Sequence, residues 1–120
     1  MATHSYDVVI VGASFGGVAA ALAAAADPKV HVALLESSQW IGGQATAQGV
    51  TRWDEAGMDL METAGSAKSY RDVRDAIRAW YRANAPLSTF GQNRTYFNPG
   101  FAQDSFPFSV DPSVTHQVLR

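Results

Sequence analysis

The sequence predicts an α/β fold that begins with a parallel βαβ unit. An apolar run, Val8–Val11, leads into a glycine-rich turn at residues 12–17. An alanine-rich helix follows, and a second apolar run, Val30–Leu35, ends at the acidic residue Glu36. The order strand, glycine turn, helix, strand and acid is typical of the first unit of a dinucleotide-binding (Rossmann-type) fold.

The glycine-rich turn reads Gly12-Ala13-Ser14-Phe15-Gly16-Gly17 and follows most of the G-x-G-x-x-G pattern. Free N–H groups and the dipole at a helix start favour a phosphate there. Gly12 is expected to supply the tight turn, and Gly17 is expected to let the helix approach the strand. Ser14 replaces the middle glycine. Its Cβ narrows the approach of a phosphate, whereas its hydroxyl is able to donate to one.

Glu36 lies 24 residues after Gly12, near the spacing of the acid that binds ribose hydroxyls. A carboxylate there accepts from a 2′-OH and repels a 2′-phosphate, which argues against NADP. The pattern leaves open an NAD-binding dehydrogenase and an ordinary α/β protein with a glycine turn.

Composition limits the classes of protein. The 120 residues are enough for one small domain, with 47% hydrophobic and 17% charged residues and a net charge of −2. The charge gives no basic surface for nucleic acid. With no cysteine, the chain has no disulfide, no cysteine-bound iron–sulfur cluster and no CxxC motif. We expect no membrane span and a cytoplasmic location.

The remaining elements follow from periodicity and turn signals. Apolar residues at helical spacing predict a helix over 68–84, started by Ser66, with its Arg and Asp residues on a solvated face. Residues 37–57 are expected to form a long ordered loop. The aromatic stretch 87–111 is expected to be irregular, with a short strand at 95–97. Further expectations are strands at 6–11 and 30–36, a helix at 15–26, and a final helix capped by Asp111 with Pro112 in its first turn.

Other polar residues give weaker signals. Asp54-Glu55 is interpreted as a solvated turn, with an acid/base pair as the alternative. The histidines His4, His31 and His116 are too scattered for a metal site. The three tryptophans are expected to be packing residues, and Asn98-Pro99-Gly100 is expected to form a turn.

A second glycine motif distinguishes this chain from a plain NAD dehydrogenase. Gly42-Gly43 follows Glu36 in the pattern E-x-x-x-x-x-G-G-x-A-T. With GVTRWDE, SAKSYRDVRDAIRAWYR and FNPGF, this motif resembles the N-terminal region of the FAD-dependent oxidoreductases, within the glutathione-reductase-like superfamily. The resemblance covers most of the 120 residues.

The resemblance implies a role for each matching position. Gly12, Ala13, Ser14, Phe15, Gly16 and Gly17 would lie along the FAD pyrophosphate. Glu36 would hold the adenosine ribose, with Ser37 beside it. Gly42, Gly43, Gln44, Ala45 and Thr46 would lead from the phosphates to the flavin, with Gln44 and Thr46 as hydrogen-bond donors.

The sequence is therefore interpreted as an incomplete Rossmann-type FAD-binding portion of a flavin oxidoreductase. Residues 1–57 would form the FAD-binding βαβ unit and Gly-Gly loop, and residues 58–120 a helical, aromatic extension. The expected partners are a small-molecule substrate and a nicotinamide or other electron donor or acceptor. Because the last predicted helix stops at Arg120, we expect a fragment that is inactive alone. The alternatives are an NAD-binding dehydrogenase fragment and a non-catalytic truncated fragment.

Overall fold

A computed structural model of the chain describes residues 4–56, 58–63, 65–100 and 107–120. It confirms the predicted α/β class, with helices and a two-stranded parallel sheet. The predicted loop over 37–56 contains a single 3₁₀ turn at Gly43–Ala45. The strands and helices are β1 Val8–Val11, α1 Phe15–Ala24, β2 Val32–Leu35, α2 Met58–Thr63, α3 Lys68–Asn84, α4 Thr89–Gln92 and α5 Pro112–Leu119.

The two strands pair in parallel and are shorter than predicted. Val8 pairs with Val32, and the register runs in step to Val11 opposite Leu35. The N–H groups of Asp7 and Val8 both donate to the carbonyl of His31, at 2.9 and 3.2 Å, so the regular ladder begins only after this point. At the other end, Gly12 N–H donates to Leu35 O at 2.8 Å, which carries the pairing into the turn.

Helix α1 packs on one face of this sheet. The face of Val8 and Ile10 is half-buried, and Ile10 lies against α1 at Gly17. On the other face of β1, Val9 and Val11 are 54% and 82% exposed. Because Gly17 lets α1 lie close to Ile10, the exposed apolar side chains of β1 are those of Val9 and Val11.

The main hydrophobic core lies beside the sheet rather than on it. Its buried residues are Ala45, Trp53, Ile77, Phe108, Val110 and Val114. Helices α3 and α5 pack on each other around it. Trp53 N–H donates to Phe108 O and Val110 N–H donates to Thr51 O, each at 2.9 Å, so a short antiparallel bridge closes the core.

Two helices begin at the residues that the sequence predicts. Helix α3 runs over Lys68–Asn84 as predicted. Helix α5 begins at Pro112, and Asp111 caps it by accepting from Ser113 N–H at 2.7 Å. The predicted cap at Ser66 is wrong. Its hydroxyl donates to Met61 O at 2.7 Å, which leaves Ala67 at the cap position.

Two short helices were not predicted, and one predicted strand is absent. Helix α4 starts at Ser88, whose hydroxyl accepts from Gly91 N–H at 3.3 Å. The structure has no strand at 95–97; Phe97 is buried there in irregular backbone. Helix α2 lies between the predicted loop and α3, at the start of the extension that was expected to be helical, although no helix was placed at these residues. Of the aromatic segment, residues 101–106 lie outside the described residues.

The prediction that the α3 arginines are solvated is wrong at two positions. Arg74 and Arg78 are fully buried, whereas Asp72, Asp75 and Arg82 are exposed as expected. Arg74 Nη2 lies 2.7 Å from Glu62 Oε1, and Arg78 also pairs with Glu62. Arg78 Nε donates to Phe97 O at 2.9 Å.

Glu55 belongs to the same buried network, so its interpretation as a solvated turn residue is also wrong. Its carboxylate pairs with Arg74 and accepts from Phe108 N–H at 2.8 Å and from Tyr70 OH at 2.7 Å. Burial alone would raise the pKa of Glu62, but the hydrogen bonds and charges of Arg78 and Arg74 outweigh burial and lower it. Four charges therefore neutralise one another inside the protein.

We predict that Glu62→Gln lowers the free energy of unfolding by about 3 kcal/mol, because it leaves two buried arginines short of a counter-charge. The matched control is Asp75→Asn, which removes an Arg78 partner whose side chain is 60% exposed. That change should cost less than about 1 kcal/mol. Denaturant unfolding followed by circular dichroism measures both. Equal effects of the two variants would contradict a stabilising buried network.

Candidate functional site

The turn from β1 into α1 has the geometry that its glycines predict. Gly12 has φ +94°, a conformation that residues with a side chain rarely adopt. Ser14 is the N-cap of α1, and its hydroxyl oxygen lies 3.5 Å from Gly17 N. Gly12, Ser14 and Gly16 are exposed, so the positive end of α1 faces open space.

Gly17 is required by the contact between helix and strand. A Cβ placed on Gly17 would lie 1.9 Å from the carbonyl oxygen of Gly12 and 3.7 Å from Ile10 Cγ2. No side chain fits at that distance without moving backbone. A Cβ on Gly16, by contrast, would meet only the Ser14 hydroxyl, at 3.7 Å.

Glu36 reaches from the end of β2 to this turn. Its Oε2 accepts from Ala13 N–H at 2.7 Å, and its Oε1 accepts from Ser38 N–H at 2.8 Å. The hydrogen bond from Ser38 N–H, and after it the one from Ala13 N–H, lower the pKa of Glu36 from 4.5 to about 2. The carboxylate is therefore ionised at neutral pH. Oε1 also accepts from the Ser37 hydroxyl at 3.4 Å, whereas Oε2 has the single donor Ala13 N–H and retains a lone pair for another donor.

The Gly42-Gly43 loop lies directly against the same turn. Gly42 N–H donates to Ala13 O at 2.6 Å, and Gly42 forms a bridge with Ser14. Both glycines have positive φ, +115° and +60°. A Cβ on Gly43 would lie 3.2 Å from Ser14 Cα, so the loop needs glycine to approach this closely.

The other residues of the second motif differ in exposure. Gln44 is exposed, whereas Ala45 and Thr46 are 3% and 2% exposed. Ala45 belongs to the hydrophobic core, and the Thr46 hydroxyl donates to Ile41 O at 2.8 Å. Ser37 is exposed beside Glu36, with its hydroxyl 3.4 Å from Glu36 Oε1. The exposed members of the predicted set are thus Gly12, Ser14, Gly16, Ser37 and Gln44. The half-buried members are Phe15, Gly17, Glu36 and Gly43, while Ala13 and Gly42 are buried like Ala45 and Thr46.

Phe15 connects this surface to the core. Its ring packs edge-on against Trp53, with centroids 5.0 Å apart, and lies 6.2 Å from the ring of Tyr70. Sequence reasoning placed Phe15 with the phosphate turn and missed this second role. The sequence signal for this role is a large apolar side chain at the first position of α1, among small residues. Such a side chain is expected to pack against other apolar residues.

No helix in the described ranges is both long and apolar enough to cross a membrane. Within the same ranges, no three histidine, aspartate or glutamate side chains come together as a metal site.

The family model described as FAD dependent oxidoreductase matches residues 7–120. No match was found among curated proteins or among solved structures.

We predict that Gly17→Ala destabilises the protein by more than about 2 kcal/mol, since its methyl group would overlap the Gly12 carbonyl. Gly16→Ala is the matched control one residue earlier. It should be neutral or stabilising by up to about 1 kcal/mol, because alanine favours the helix and its methyl group meets only the Ser14 hydroxyl at an ordinary contact distance. Thermal unfolding of the two variants checks this. A Gly17→Ala protein as stable as Gly16→Ala would contradict the close contact.

The low pKa of Glu36 predicts a pH dependence of stability. Since its pKa is lower in the folded state, the stability it contributes is present above pH 4.5 and is lost as the pH falls toward 2. The difference in melting temperature between wild type and Glu36→Gln should therefore shrink between about pH 6 and pH 3. A difference that stays constant over this range would show that the carboxylate is not held by the two N–H groups.

Proposed function

The chain belongs to the FAD dependent oxidoreductase family, and we propose that the surface made by the Gly12–Gly17 turn, Glu36 and the Gly42-Gly43 loop binds FAD. The chain would thus supply the cofactor-binding part of a flavin-dependent oxidoreductase. The observation that carries the proposal is the meeting of all three segments at Ala13, through Glu36 on one side and Gly42 on the other.

The residues present fit the cofactor in shape and charge. The exposed N-terminus of α1 offers N–H groups to a pyrophosphate, and the Ser14 hydroxyl lies beside them. The backbone at Gly43 lies so close to Ser14 that a side chain on residue 43 would fill the gap between the two segments. We assign the Gly12–Gly17 turn to the pyrophosphate.

Glu36 is assigned to the adenosine ribose. Its carboxylate is ionised, and Oε2 keeps acceptor capacity beyond its one backbone donor. A ribose hydroxyl would donate to it, while a 2′-phosphate would be repelled. This preference supports FAD over NADP as the ligand of the site.

The second glycine motif supports FAD over NAD. FAD is the longer of the two along the route from ribose to the reactive ring. The buried Gly42 fastens the second loop to Ser14, and the half-buried Gly43 and the exposed Gln44 continue the surface beyond the first turn. We assign Gly42, Gly43 and Gln44 to the continuation of this surface toward the flavin. Ala45 and Thr46 are proposed to support the loop without contacting the cofactor. Ala45 packs in the hydrophobic core, and Thr46 holds the backbone of Ile41 by a hydrogen bond.

When bound, the flavin supplies hydride or electron transfer, and the protein supplies position and electrostatics. The described residues contribute binding, and none of them is assigned a catalytic role. A small-molecule substrate and a nicotinamide or other electron partner complete the proposal. An NAD-binding dehydrogenase is the rival, and it is tested by the same titrations.

We predict that Glu36→Ala weakens FAD binding by about 1.5–3 kcal/mol, the value of a hydrogen bond to a charged group. Fluorescence titration of the purified chain with FAD measures the affinity. Asp72→Ala is the control, since Asp72 is an exposed acid paired with Lys68 on α3, away from the turn. The same titrations are carried out with NADH and NADPH for comparison. Unchanged FAD affinity in Glu36→Ala, or tighter binding of NADH than of FAD, would overturn the assignment.

A further inference from the structure

Helix α5 lies directly against the second glycine motif. A Cβ on Gly42 would come within 3.0 Å of Leu119 Cδ1. Val114, from the same helix, packs in the core with Ala45, which follows the glycine pair. No motif in the sequence connects this late helix with the Gly42-Gly43 loop.

One aromatic pair joins α5 to the segment between Glu36 and Gly42. The rings of Trp40 and His116 are stacked, with centroids 5.3 Å apart and planes 5° from parallel. The Nδ1 atom of His116 is buried and has no hydrogen-bond partner in the structure described here. Stacking, rather than a polar contact at that nitrogen, therefore holds the ring in place.

Trp40 is connected in turn to Glu36. Its carbonyl accepts from the Ser38 hydroxyl at 2.8 Å, and the Ser38 N–H donates to Glu36 Oε1 at 2.8 Å. On its other side, Trp40 is two residues from Gly42, whose N–H is bonded to Ala13. A movement of Trp40 would thus disturb both groups that fasten the loop to the phosphate turn.

We propose that His116 is a positioning residue for the Glu36–Gly42 segment, acting through its stack on Trp40. The stack holds the segment in the conformation in which Glu36 and Gly42 both contact Ala13. The consequence for the cofactor rests on the proposed function, since the FAD surface includes this segment. The effect on the loop itself does not depend on FAD.

The test is amide hydrogen exchange of Gly42 N–H in the cofactor-free chain. His116→Ala should speed this exchange about fivefold, the size expected for loss of one stacked pair, whereas His116→Phe should restore it. Gln117→Ala is the control. Gln117 is the next residue on α5 and accepts from Trp80 Nε1 at 3.2 Å, away from Trp40. Unchanged exchange in His116→Ala, or a His116→Phe protein as fast as the alanine variant, would overturn the proposal.

FAD titration of the same variants measures the consequence for binding. His116→Ala should raise the FAD dissociation constant about fivefold, with His116→Phe and Gln117→Ala near wild type. If wild type binds no FAD, the proposed function fails and the exchange result alone decides the role of His116. If wild type binds FAD and His116→Ala binds equally well, the positioning role is wrong while the proposed function stands.

Discussion

The site depends on the two backbone groups of a single buried residue, Ala13. Its N–H donates to the Glu36 carboxylate at 2.7 Å, and its carbonyl accepts from Gly42 N–H at 2.6 Å. One bond ties the first turn to the end of β2, and the other ties it to the second glycine loop. Because Ala13 is wholly buried, its own N–H and carbonyl depend on these two protein partners rather than on water. Three segments distant in sequence therefore form one surface.

The rest of the chain supports this surface from one side. Phe15 leaves the turn and packs against Trp53, and Trp53 packs against Phe108 with centroids 5.2 Å apart. Below Phe108 lies the buried ionic network, with the Arg74 guanidinium 4.4 Å from its ring centroid. A continuous series of packed side chains thus connects the turn to the buried charges of α3. Such a network stabilises only when every charge is paired, which makes it a sensitive part of the fold.

The sequence predicted what depends on local backbone chemistry. Gly12, Gly17 and the spacing to Glu36 predicted the βαβ unit, and Asp111-Pro112 predicted the start of α5. It missed what depends on long-range pairing. Arg74 and Arg78 lie four and eight residues after Tyr70, on the same face of α3, but their charge suggested solvent. Only the distant acids Glu55 and Glu62 make their burial possible, and periodicity contains no information about those partners. The assignment of FAD to the named residues stays a prediction.

Titration of the ¹⁵N-labelled chain with FAD, followed by amide chemical shifts, tests directly whether the three segments bind the cofactor. We expect the largest shifts on residues 12–17, on Ser37 and Ser38 beside Glu36, and on Gly42, Gly43 and Gln44. Amides of α4 and of the C-terminal half of α3 should change little. Shifts confined to α3 and α4, or no shifts at saturating FAD, would contradict the claim that these three segments form an FAD-binding surface.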